Sequence, residues 1–74
     1  MKNTKKMEVA ILLSELEERL GRTVDRSGEL GIIIDAHRVY RFRDESAFIG
    51  ALYRAVEESD RRAALEALEQ FALY

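Results

Sequence analysis

Apolar residues in the first third of the chain recur at spacings of three and four: Val9, Leu12, Leu13, Leu16 and Leu20. That spacing predicts one face of an amphipathic helix over 7–20, reaching back to about Lys5. Gly21 is placed to stop it, because a glycine just past the last periodic leucine takes the left-handed conformation without steric cost. Residues 1–6 form a short basic tail in which Asn3 or Thr4 can cap the helix. Met7 and Ile11 fall roughly 180° from the leucine stripe at ~100° per residue. They form a second, smaller apolar patch, covered either by the domain itself or by a partner.

The period changes from residue 30. In LGIIIDAHRVYRFR (30–43) three isoleucines run into a polar patch, and from Val39 apolar and basic residues alternate, which predicts a β-hairpin. Pairing Ile34 with Tyr40 and Ile32 with Phe42 puts both pairs and Leu30 on one apolar face, whereas pairing Ile34 with Val39 leaves neither face apolar. The first register is expected. It sends Gly31, Ile33, Asp35, Val39, Arg41 and Arg43 outward, with Asp35 in reach of an arginine on the second strand. The turn lacks the Gly and Asn of tight hairpin loops. Residues 22–29, with Ser27-Gly28, read as a connector.

Helical spacing returns at 45–58, where Phe48, Ile49, Ala51, Leu52, Ala55 and Val56 make a broad apolar face and Asp44 or Ser46 supplies a cap. Gly50 inside it suggests close approach of another backbone. The stripe of Leu65, Leu68, Phe71 and Ala72 lies roughly 150–180° from the Phe48-Leu52-Ala55 stripe on a straight helix, so one helix could not bury both against one core. The i,i+4 pairs Glu57–Arg61 and Glu58–Arg62 favour continuity by only ~0.2–0.5 kcal/mol each. A break is therefore expected, with Ser59 or Asp60 capping a separate helix over 61–73. The reading is a small α+β single domain, 1–74, ordered α-β-β-α-α.

A chain of 74 residues buries only ~60–65% of its unfolded surface, so added burial on a partner or a second copy would help it. Without cysteine, disulfides and thiolate zinc sites are excluded. Neither an apolar run of spanning length nor a signal-peptide core is evident, and a cytoplasmic protein is expected, with no membrane partner. The net charge of -2 divides unevenly: residues 1–43 hold nine basic and seven acidic side chains (+2), and residues 44–74 hold three and seven (-4). That balance disfavours a dedicated nucleic-acid binder, although a local basic face remains available.

Candidate chemistry is sparse. Asp35-x-His37 is the nearest approach to an acid-base pair, but His37 is the chain's one histidine and a solvated turn explains both residues. No spacing suggests a metal site, a phosphate loop or a cofactor site, so no enzyme activity is expected. The HRVYRFR run (37–43) combines basic and aromatic residues as nucleic-acid binders do. In the expected register, however, Tyr40 and Phe42 point inward and cannot stack on bases.

The strand-helix-helix order over 39–74 resembles the ribbon-helix-helix family of dimeric repressors, in which one strand per subunit pairs across the dimer and reads the DNA major groove. The resemblance covers half the chain; the Ile32-Ile34 strand and the first helix fall outside it. It implies nucleic-acid contacts by Arg41 and Arg43, to which Arg38 is added from the sequence, and is held as the alternative function. The leading expectation is a protein-interaction module, a regulator or inhibitor of a larger protein or complex and a homodimer, of the kind encoded by phages and mobile elements. Its candidate partner-binding residues are Met7, Ile11, Ile33, Val39, Arg41, Arg43, Ile49 and Tyr53, chosen as apolar or basic groups left outside the predicted core.

Overall fold

The computed structural model describes the backbone of residues 3–73 and the side chains of residues 8–73. The chain runs α1 (Asn3–Leu20), β1 (Val24–Arg26), β2 (Gly31–Ile34), β3 (Arg38–Arg41), α2 (Glu45–Glu57) and α3 (Arg61–Phe71). The predicted α+β order of helix, hairpin and two helices is the order found, with one strand added ahead of the hairpin. The helix α1 already includes Asn3 and Thr4, so neither flanks it as a cap and most of the predicted basic tail is helical. Gly21 ends it at φ +66°, its N–H bonded to the Glu17 carbonyl at 2.8 Å.

The sheet is antiparallel in the order β1-β2-β3. The added strand, β1, lies in the predicted connector and is held by partners far along the chain. The Glu17 carboxylate accepts from the Val24 N–H at 2.9 Å, the Thr23 carbonyl accepts from Asp35 N–H at 2.9 Å, and Val24 pairs with Ile34.

The hairpin keeps the predicted faces but not the predicted pairs. Ile32 stands opposite Tyr40, Ile33 opposite Val39 and Ile34 opposite Arg38, and the Phe42 N–H donates to the Leu30 carbonyl at 2.8 Å. This is a shift of two residues, which leaves Ile32, Ile34, Tyr40 and Phe42 inward and Ile33, Val39 and Arg41 outward as expected, while Asp35, expected outward, falls in the turn and Arg43 past the strand end. The turn closes sooner than expected because Asp35 (φ 58°) and Ala36 (φ 65°) both adopt left-handed backbone, letting the His37 N–H reach the Ile34 carbonyl at 3.2 Å. Aspartate tolerates that region and alanine does not. Ala36→Gly is expected to raise stability by about 1 kcal/mol, less the extra entropy glycine brings to the unfolded chain. A urea-unfolding midpoint that rises at constant m checks it.

Asp44 and Asp60 cap α2 and α3, their side chains accepting from the N–H groups of Ala47 at 2.9 Å and Ala63 at 2.8 Å. The break between them places Glu57 and Arg61 in different helices. The last residues of the predicted 61–73 helix leave it: Ala72 bridges Phe42, and the Leu73 N–H donates to the Arg41 carbonyl at 2.7 Å. Gly50 answers a side chain rather than a backbone, since a Cβ there would lie 3.7 Å from the Phe71 ring.

One cluster of buried side chains joins all six elements. The whole α1 stripe, Val24, Ile32, Ile34, Tyr40 and Phe42 from the inner sheet face, Phe48 and Leu52 from α2, and Leu68 from α3 are buried, while Leu65 is half-buried at the margin. Arg19 of α1 donates to the Val56 carbonyl near the end of α2, tying the two helices where their carbonyls run out of partners.

Candidate interaction surfaces

Of the four large apolar side chains exposed among the described residues, Leu73 follows α3 and the other three, Ile11, Tyr53 and Val39, lie on two faces. The first lies between α1 and α2. On α1, residues 8, 11, 12 and 15 share a face by helical spacing, as do 53, 56 and 57 on α2. The two faces meet as an open groove in which Leu12 and Val56 form a buried floor and Ile11 and Tyr53 stand 57% and 42% exposed. Among the described residues, its remaining lining side chains, Glu8, Glu15 and Glu57, are carboxylates. The Tyr53 hydroxyl donates to Glu8 across the groove.

Ile11 is therefore not covered by its own domain. The side chain of Met7, expected beside it, lies outside the described residues. Ile49, also a candidate contact, is half-buried and packs on the core. The rim carboxylates were missed from the sequence, although Glu8 and Glu15 stand three before and four after Ile11 and so share its side of the helix.

The second face is the outer side of the sheet, where Asp25, Ile33 and Val39 form one row across the three strands and Arg41 stands opposite Gly31. Val39 is 50% exposed and Ile33 half-buried. Arg43 lies past the strand end, 3.7 Å from Asp44, with both side chains exposed. The three arginines of the DNA alternative do not share a surface: Arg41 is on the outer sheet face, whereas Arg38 alternates with it onto the face of Tyr40. The strand β3 pairs within its own chain, unlike the strand of a ribbon-helix-helix subunit.

Tyr40 and Phe42 are buried, so neither offers a base a stacking surface. The Tyr40 hydroxyl donates to Glu69 at 3.3 Å. Burial pushes its pKa above the ordinary 10.0, Glu69 adds to the rise, and Arg38 opposes it. Because the folded value is raised, the contribution of Tyr40 to stability is intact below pH 10.0 and falls as pH rises through the folded value. Tyr40→Phe is expected to flatten the alkaline loss of stability, read from urea midpoints taken across that range.

Asp35 and His37 both sit exposed on the hairpin turn, and Asp35 pairs with Arg22 at 3.3 Å rather than with His37 or an arginine of β3. Among the described residues no group of three His, Cys, Asp or Glu side chains is placed to hold a metal ion, and no helix is long and apolar enough to cross a membrane. Comparison with protein-family models, curated proteins and solved structures finds no match to this chain.

Proposed function

We propose that this chain is a non-enzymatic protein-interaction module of the cytoplasm, a regulator or inhibitor that takes an amphipathic helix of a larger protein into the α1–α2 groove. The observation that carries the reading is the pairing of exposed Ile11 and Tyr53 over an apolar floor with a rim whose charged residues, among those described, are acidic. An apolar groove of this form suits a helix presenting anchors at i, i+3, i+4 and i+7. Covering the 57% of Ile11 that is exposed contributes about 1–2 kcal/mol. The carboxylates select for lysine or arginine beside the anchors and speed the encounter at low salt. The same carboxylates oppose a second copy docking groove to groove.

The test is fluorescence anisotropy with two helical peptides that share leucine anchors and differ in their flanks, one lysine and one glutamate. The lysine peptide is expected to bind saturably, more weakly as salt rises, and at least tenfold more weakly to Ile11→Glu. Failure to saturate, or equal affinity for both peptides, overturns the reading.

Self-association has a separate observation in its favour, the exposed Val39 beside Ile33 on the outer sheet face. A homodimer built there would become an 8.5 kDa monomer by light scattering when Ile33 and Val39 are both changed to lysine. A mass unchanged from wild type would remove that face as the contact. The DNA alternative has the weaker support, because its arginines are divided between faces. It requires salt-sensitive duplex binding that is lost in the Arg41→Ala, Arg43→Ala double variant.

A further inference from the structure

At the tip of the hairpin, away from the groove, lies a half-open pocket of about 290 Å³. Leu20, Ile34 and Leu65 supply its apolar lining, and Arg22, Arg38 and Arg61 line it from three separate elements: the turn after α1, the hairpin and the first turn of α3. His37 and Asp35 complete the lining. Three arginines against one aspartate leave a formal +2 on the lining, in a chain whose net charge is -2. That aspartate is already engaged by Arg22 at 3.3 Å. Arg38 also lies beside the Tyr40 hydroxyl, whose own partner is Glu69 at 3.3 Å.

Arg61 has a second peculiarity. It opens α3, whose first turn contains no acidic residue, so its cation sits at the positive end of the helix dipole. The Asp60 carboxylate already caps this helix end, so what Arg61 offers an anion is its guanidinium.

We propose that this pocket binds a compact dianion of the phosphomonoester class. Its phosphoryl oxygens are held by Arg22, Arg38 and Arg61, and its organic substituent rests on Leu20, Ile34 and Leu65. Guanidinium forks match phosphate oxygens in pairs, and the pocket's size suits a small ligand rather than a polymer. The site is independent of the α1–α2 groove and of what binds there.

The test is a titration of the isotopically labelled full chain, followed by amide chemical shifts. Inorganic phosphate and phenyl phosphate are the probes, at fixed ionic strength, with sodium chloride as the matched control. Saturable shifts confined to residues 22, 35–38 and 61 are expected, with phenyl phosphate binding several-fold more tightly than phosphate. Equal affinity for the two would assign the site to free phosphate. Arg61→Gln is expected to weaken binding at least tenfold while its Tm equals or exceeds that of the wild type, so that lost binding cannot be ascribed to lost folding. Shifts that match the chloride control, or an Arg61→Gln variant with unchanged affinity, overturn the proposal.

Discussion

Phe48→Ala is expected to destabilise the protein by about 3–5 kcal/mol. The ring is 1% exposed and is the largest fully buried side chain. It stacks on Phe42 with centroids 5.4 Å apart and planes at 28°, and the Arg26 guanidinium lies 5.1 Å from its centroid. One side chain thus joins α2 to β1 and to the end of the hairpin. Truncation removes its transfer free energy, leaves a cavity among residues from three elements, and strips the aromatic and cation–π contacts as well. Against a total stability of about 5–15 kcal/mol, this loss is a large share of what holds the fold. Urea unfolding followed by circular dichroism measures it. A loss below about 1 kcal/mol would mean that the Phe42–Phe48 pair is not central to the core.

Gly31→Ala is expected to cost about 1–3 kcal/mol, through overpacking rather than a cavity. A Cβ at Gly31 would stand 2.6 Å from the Ser27 carbonyl oxygen and 3.0 Å from that of Tyr40. Both are backbone atoms, so no rotamer change relieves the contact. The neighbouring turn is also tied to the same residue, since the Ser27 N–H donates to the Gly31 carbonyl at 2.9 Å. Relief therefore requires the β1–β2 connection to move. Gly50→Ala is the matched control, because its new Cβ meets only the Phe71 ring at ordinary contact distance and gains helix propensity. A Gly31→Ala protein as stable as wild type would contradict the close packing of the two hairpins.

The parts of the fold visible in the sequence are those that periodicity determines. The leucine stripe of α1 marks its buried face, and the angular offset between Phe48-Leu52-Ala55 and Leu65-Leu68 requires the break that Asp60 then caps. For the hairpin, alternation determines which side chains face inward but not which residues pair. Registers two residues apart bury the same set, and the choice between them fell to left-handed backbone at Asp35 and Ala36, residues that carry little turn signal. β1 was not legible because Val-Asp-Arg offers one apolar residue, and its pairing depends on Ile34 and on a carboxylate of α1. The interaction surfaces divide in the same way. Ile11 and Tyr53 stand out as apolar residues off their stripes, yet only the packing of α1 on α2 brings them into one groove. The pocket at the hairpin tip was less legible still, because Arg22, Arg38 and Arg61 belong to segments with no shared pattern.

The acid-rimmed groove is the centre of the functional account, and the most direct measurement of it is an amide chemical-shift map of the labelled protein titrated with the lysine-flanked leucine peptide. The account predicts shifts concentrated along α1 and α2, at residues 8, 11, 12, 15, 53, 56 and 57, with the outer sheet face at 33, 39 and 41 unmoved. Shifts centred on the sheet face, with the α1–α2 groove silent, would contradict it.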